Sequence, residues 1–270
     1  PCGSLIQKNG DSLMKRRSLL AAAAAAAVFT AAPAIAAPVY SVGTGATYRP
    51  FEFQAPSKEI VGFDIDLMKE IAKAAGFQVK FQNTLWGVIF ESVKNGDRDI
   101  IMSGITITPQ RQQTVDFSLP YFAAHQLILT QRNLRVKSIN DLKGKKVAVV
   151  ANSAGDIVCS KAFGKASPNI KRFDNTPLAL EELNAGGVDA AIGDVGVFAY
   201  YAQQNPGKHF NMTRDPNFEE QYFGIAVRKG NTKLLAQIND GLRKVYKNGT
   251  YAKVYHKWFG NTPVPKLPIK

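Results

Sequence analysis

Two stretches whose aspartates lie ninety positions apart, "NGDRDIIMSGI" (Asn95 to Ile105) and "AGGVDAAIGDV" (Ala185 to Val195), follow one plan. Each closes a helix, passes through Gly-x-x-Asp, runs through three apolar residues and ends on a small residue at the C-terminal edge of a strand. Ligands of open α/β sheets bind outside that edge. The interval is too long for a solenoid repeat, so the economical architecture is a pair of similar α/β lobes facing each other across a cleft. Gly-x-x-Asp is also an ordinary helix-to-strand turn, and the pattern alone leaves that reading open.

The segments around the first stretch fit a lobe of this kind. Val39 to Gly43 reads as a strand running into a loop. Ile65, Met68, Ile71, Ala72 and Ala75 share one face of a helix from Phe63 to Phe77, which Asp64 is placed to cap and Gly76 to end. Val79-Lys80-Phe81 alternates as a strand, Val88 to Lys94 makes a short helix stopped by Asn95-Gly96, and Ile100-Ile101-Met102 is a buried strand. Strands alternating with helices imply βαβ units and a mainly parallel sheet.

The N-terminal part belongs to targeting rather than to the fold. Met14-Lys15-Arg16-Arg17 precedes Ser18-Leu19-Leu20 and an alanine-rich run to Val28-Phe29, closed by Ala34-Ile35-Ala36. This is the order of a cleaved secretory signal peptide, so residues 1–37 are expected to be leader and extension, and the mature chain of ~234 residues to be exported. Cys2 would leave with the leader. Cys159 then stands alone, which excludes an internal disulfide or a thiolate metal site, and its small-residue surroundings before Phe163 suit a buried, inert thiol.

The formal charge is +13. Removing the net +3 of Lys8, Lys15, Arg16, Arg17 and Asp11 leaves +10. The basic residues are dispersed, the densest run being Lys143-Gly144-Lys145-Lys146, with no basic helix, zinc knuckle or aromatic stacking motif. No nucleic-acid partner is expected. No metal or cofactor motif appears either: Gly43-x-Gly45 lacks the third glycine of a dinucleotide loop.

Each expected strand edge carries one charged group. In "SGITITPQRQQTVDF" Thr108 suits an N-cap and Pro109 the first helical position, which sets Arg111 in the first turn, where the helix dipole disfavours a cation. Asp194 follows Gly193 at the second edge. A guanidinium matches a carboxylate in bidentate fashion, and an aspartate accepts from an ammonium. Opposed across a cleft, with the Thr106 hydroxyl and backbone amides beside them, they would fit a zwitterion. The plainer alternatives are a surface ion pair of Arg111 with Asp116, and Asp194 as N-cap of the helix containing Phe198 and Tyr200.

The segments "YRPFEF" (Tyr48 to Phe53), "VGFDIDLMKEIAKAAG", "DIIMSGITITPQRQQTVDFSLPYF", "DLKGKKVAVVANSAG" and "NGTYAKVYHKWFG" closely resemble the family 3 solute-binding proteins of bacterial ABC importers. That family includes glutamine-, histidine- and lysine/arginine/ornithine-binding proteins. The similarity runs from about Val39 to Gly260 with the motifs in order. It implies a two-lobed type II periplasmic-binding-protein fold, each lobe an α/β sandwich with a mainly parallel sheet, joined by two hinge strands. Lobe 1 would comprise residues 38–122 plus 221–262 and lobe 2 residues 124–219, with 263–270 as a tail. The implied function is binding a free L-amino acid and delivering it, as a monomer without cofactor, to an ABC permease in the inner membrane.

Residue by residue, the resemblance places the carboxylate-binding arginine on Arg111, its partners on Ser103, Gly104 and Thr106, and the ammonium-binding aspartate on Asp194. The amide-donating turn of the second lobe falls on Ala154 and Gly155, and the aromatics flanking the ligand side chain on Tyr48 and Trp86. The hinge strands fall near Tyr121 to His125 and Glu219 to Phe223. Several side-chain readers of relatives are replaced, by Gly45, Ala151 and Gly193. A polar uncharged ligand such as glutamine, or a broad range, is therefore expected ahead of a strictly basic one; Asp156, if turned inward, would favour arginine or lysine. The rival is an enzyme like the periplasmic cyclohexadienyl dehydratases of similar fold. No histidine pair or isolated carboxylate is expected in the cleft as general acid or base; His125 and Asp156 are the nearest candidates.

Overall fold

The computed structural model describes residues 36–269; the expected leader up to residue 35, with Cys2, lies outside the described residues. In chain order the first half forms β1 (Val39–Thr44), β2 (Thr47–Tyr48), β3 (Glu52–Gln54), β4 (Ile60–Val61), α1 (Phe63–Ala75), β5 (Gln78–Asn83), α2 (Ile89–Asn95), β6 (Ile100–Ile101), α3 (Pro109–Gln112), β7 (Val115–Phe117), β8 (Phe122–Ala124) and β9 (Gln126–Thr130). The second half continues with β10 (Val147–Val150), α4 (Ala154–Phe163), β11 (Ile170–Phe173), α5 (Thr176–Ala185), β12 (Ala190–Asp194), α6 (Val195–Gln204), β13 (Asn211–Thr213), β14 (Gln221–Phe223), β15 (Ala226–Arg228), α7 (Thr232–Lys247) and α8 (Thr250–Phe259).

Two five-stranded sheets result, ordered β5-β1-β6-β15-β7 and β11-β10-β12-β9-β13. In each, the first three strands pair in parallel and the fourth, β15 or β9, runs antiparallel to both its neighbours, so that four strands share one direction. The parallel core agrees with the sequence reading; the single reversed strand makes each sheet mixed. β8 and β14 pair antiparallel between the two sheets, with Phe122 opposite Phe223 and Ala124 opposite Gln221. Phe51 sits beside this pair, its ring centroid 4.8 Å from Phe122 and 5.4 Å from Phe223, so the crossing is packed with aromatic rings.

The two echoing stretches are equivalent in three dimensions. Gly96 and Gly186 end their helices in the left-handed conformation. Asp99 then accepts from the amide and hydroxyl of Ser41 in β1, at 2.8 and 2.7 Å. Asp189 accepts from the amide of Lys146, just before β10, at 2.7 Å. Each aspartate thus ties one strand to the start of its parallel neighbour, and the ordinary turn serves as a repeat.

Helix α1 buries Ile65, Leu67, Met68, Ile71 and Ala72 and stops at a left-handed Gly76. Its N-cap is Gly62, not Asp64 as expected. Gly62 adopts φ 143° and ψ 177°, a region open essentially to glycine alone, and a Cβ there would fall 2.0 Å from the Phe51 carbonyl oxygen. Asp64 is freed from capping and points into the core. Gly62→Ala is expected to cost about 1–3 kcal/mol from the backbone conformation alone, with the overlap added. Denaturant midpoints measure this, and an unchanged midpoint would refute the assignment of strain to this residue.

Candidate functional site

The first charged group of the site comes from the loop after β6. Thr108 caps α3 by accepting from the Arg111 amide at 3.2 Å, and Pro109 occupies the first turn. The Arg111 side chain turns inward and is 9% exposed. Its guanidinium donates to the carbonyls of Thr106 and Asn152, each at 2.9 Å, and lies 5.3 Å from the Trp86 ring and 5.2 Å from the Phe90 ring. No aspartate or glutamate comes within 4 Å of it among the described residues. Asp116, the plainer partner considered from the sequence, instead binds Lys229 at 2.8 Å. Burial pushes the Arg111 pKa down to about 10, opposed by the charge of Asp194. It remains a cation at neutral pH, without a counter-anion in contact.

Asp194 ends β12 and occupies the N-cap position of α6, yet its side chain makes no capping bond. The carboxylate accepts from Gln126 Nε2 at 2.9 Å and from the Tyr48 hydroxyl across the cleft. Both donors are neutral. Burial raises its pKa to about 6, against the lowering by these hydrogen bonds and Arg111. Further bonds cross the cleft: Trp86 Nε1 donates to the Ala151 carbonyl at 3.0 Å and Arg111 to that of Asn152.

One cavity is lined by eight of the nine residues expected from the sequence: Tyr48, Trp86, Ser103, Gly104, Thr106, Arg111, Ala154 and Asp194. Gly155 does not line it. That glycine lies against β12, where a Cβ would meet the Ile192 carbonyl oxygen at 2.5 Å, and Ser153 takes its place on the cavity wall. Gly104 adopts φ 53°, and a Cβ there would come within 2.8 Å of the Tyr48 ring, so only glycine lets that ring lie against the loop.

The side-chain end departs further from expectation. Ala151 contributes its carbonyl to Trp86, and Val150 is the residue that faces the cavity. Beside Gly193 stands the Phe198 ring, 2.7 Å from where a Cβ would sit. Asp156 is absent from the lining: its carboxylate accepts from the Asn152 amide and pairs with Arg172 at 2.9 Å. His125 stands 3.5 Å from Glu220, also outside the lining. Asp174, Asn175 and Thr176, at the start of α5, complete the wall.

Sequence reasoning missed Glu52. It lines the cavity, is fully buried, and accepts from the Ser103 hydroxyl at 2.7 Å, which adds a carboxyl group to the cleft besides that of Asp194. The available signal was an acid set between Phe51 and Phe53 in a short hairpin. There Glu52 pairs with Tyr48, already a candidate site residue.

Comparison with known proteins places this geometry. A probable histidine-binding protein of Neisseria gonorrhoeae is 42% identical over 231 residues, covering 85% of this chain and 86% of its own. Among solved structures, the arginine-, lysine-, histidine-binding protein ArtJ of Geobacillus stearothermophilus superposes with a TM-score of 0.80 at 42% identity, covering 83% of this chain and 96% of its own. An ancestral arginine-binding protein bound to glutamine gives 0.77 at 42% identity, with coverages of 83% and 98%. The fold is that of the type II periplasmic binding proteins. Residues 40–261 match the bacterial extracellular solute-binding proteins, family 3, and the chain belongs to that family.

Proposed function

We propose that this solute-binding protein captures a free L-amino acid outside the cytoplasm, closing about the β8–β14 crossing, and delivers it to the permease of an ABC importer. One observation carries the reading. The same cavity is lined by a buried guanidinium with no carboxylate in contact and a buried carboxylate held only by neutral donors. A buried charge is costly until paired, and a zwitterion pairs both at once. Arg111 takes the α-carboxylate, supported by Ser103, Gly104 and Thr106 and by the amide-bearing first turn of α4 at Ala154; Asp194 takes the α-ammonium. Tyr48 and Trp86 flank the side chain.

Asp174 adds a carboxylate to the cavity wall, with Asn175 and Thr176 beside it. The preferred ligand therefore bears N–H donors: histidine, arginine or glutamine. The ligands named for the N. gonorrhoeae protein and ArtJ support this class, and the glutamine-bound ancestral protein supports keeping glutamine within it. Calorimetric competition should rank these three above aspartate and glutamate, whose second carboxylate would meet that of Asp174; glutamate displacing glutamine would overturn the assignment. Turnover of prephenate or arogenate by purified protein would replace transport with catalysis.

A further inference from the structure

Glu52 in β3 and Asp64 in α1 are both fully buried, and consecutive residues of the Arg111 loop hang from them. Ser103 Oγ donates to Glu52 Oε1 at 2.7 Å and itself accepts from the Gly45 amide at 2.9 Å. The Gly104 amide donates to Asp64 Oδ2 at 2.9 Å, and the Tyr121 hydroxyl donates to the same oxygen at 2.8 Å. The remaining oxygens, Glu52 Oε2 and Asp64 Oδ1, have no donor among the described residues. Neither carboxyl is paired with a lysine or arginine there.

Two adjacent carboxylates in a dry site cannot both ionise at ordinary cost, whereas a single proton between the two bare oxygens satisfies both. We propose that Glu52 is a neutral carboxylic acid whose proton is donated to Asp64 Oδ1, and that this pair is the positioning device holding the Ser103–Gly104 turn beside Arg111. Asp64 keeps the charge because it already accepts two hydrogen bonds, against one for Glu52. Burial and the neighbouring Asp64 push Glu52 well above the usual carboxyl range, while burial raises Asp64 to about 6. The other titratable groups facing the pair are Tyr48, Tyr121, Tyr251 and Asp194, with Arg111 on the same cavity wall. A neutral Glu52 spares the loop a second anion next to the place assigned to the ligand carboxylate.

The effect on ligand rests on the amino-acid reading above; the protonation state does not. Glu52 is the only buried glutamate among the described residues, so carbon-13 labelling of glutamate carboxyls in the ligand-free full chain isolates it. One resonance should hold the position of a neutral acid between about pH 7 and 8, and Glu52→Gln should delete it. If every glutamate in the wild-type protein titrates in the ordinary range, the proposal fails without need of any variant. For positioning, Glu52→Gln should keep amino-acid affinity within about threefold, because an amide can donate to Asp64 and accept from Ser103. Glu52→Leu should lose about tenfold or more by stranding both partners. Equal losses in the two variants would overturn the positioning role. A wild-type protein that binds no amino acid would sink the parent reading and leave the resonance result standing.

Discussion

Arg111→Met and Asp194→Ala are each expected to weaken amino-acid binding by about 30-fold to several thousandfold while leaving the fold intact. Each removes one partner of a desolvated, charged hydrogen bond, a loss of about 2–5 kcal/mol. Arg111 is the one arginine or lysine lining the cavity among the described residues, so the ligand carboxylate left behind has no second cation there. For Arg111, methionine keeps much of the apolar stem and removes the guanidinium that lies near Trp86 and Phe90. For Asp194, the Gln126 amide keeps the Gln221 side-chain carbonyl as an acceptor at 3.2 Å and the Tyr48 side chain is half-buried, so binding suffers more than stability. Circular dichroism establishes that each variant is folded, and calorimetry then reads affinity. Wild-type affinity in a folded Arg111→Met protein would eliminate the zwitterion model.

The charged pair was legible in the sequence because its placement violated a local rule. A cation in the first turn of a helix needs a reason, and the Thr108-Pro109 start that creates the conflict is present as expected. The Gly-x-x-Asp repeat was legible for a similar reason: Asp99 and Asp189 perform one task at one position of each sheet. Three features were not legible. Asp64 has the type and place of a cap, and nothing local says that Gly62 takes that position at a φ only glycine tolerates. Its true partners, Gly104 and Tyr121, lie 40 and 57 residues away. Glu52 looked like any surface acid in a hairpin, because pleat alternation over three residues does not tell the inward face from the outward one. Val150, rather than Ala151, faces the cavity for the same reason: the register at a strand's end decides it.

The second large effect is on pH. Ligand-induced stabilisation is expected to be full near pH 7.5 and to fall away below about pH 6, with affinity dropping roughly tenfold per pH unit there. The sign follows from Asp194, whose pKa burial raises to about 6 from about 3.9 in an unfolded chain. Between these values the ligand-free native state holds the proton more tightly than the unfolded one. Its stability therefore falls as pH rises through this window, by at most about 1.4 kcal/mol per unit; Asp64, also near 6, adds in the same direction. An α-ammonium requires the ionised carboxylate, so ligand binding expels that proton, and below pH 6 binding must first ionise a buried acid. The ligand carboxylate and Arg111 hold their charges throughout, so neither produces the effect. His125 beside Glu220 at the crossing is removed from consideration by repeating the series in a His125→Gln background. Thermal shifts measured from pH 5 to 8 should rise with pH for the wild type and stay small and flat for Asp194→Asn. An equal pH dependence in Asp194→Asn would place the titrating group elsewhere and detach the ammonium from Asp194.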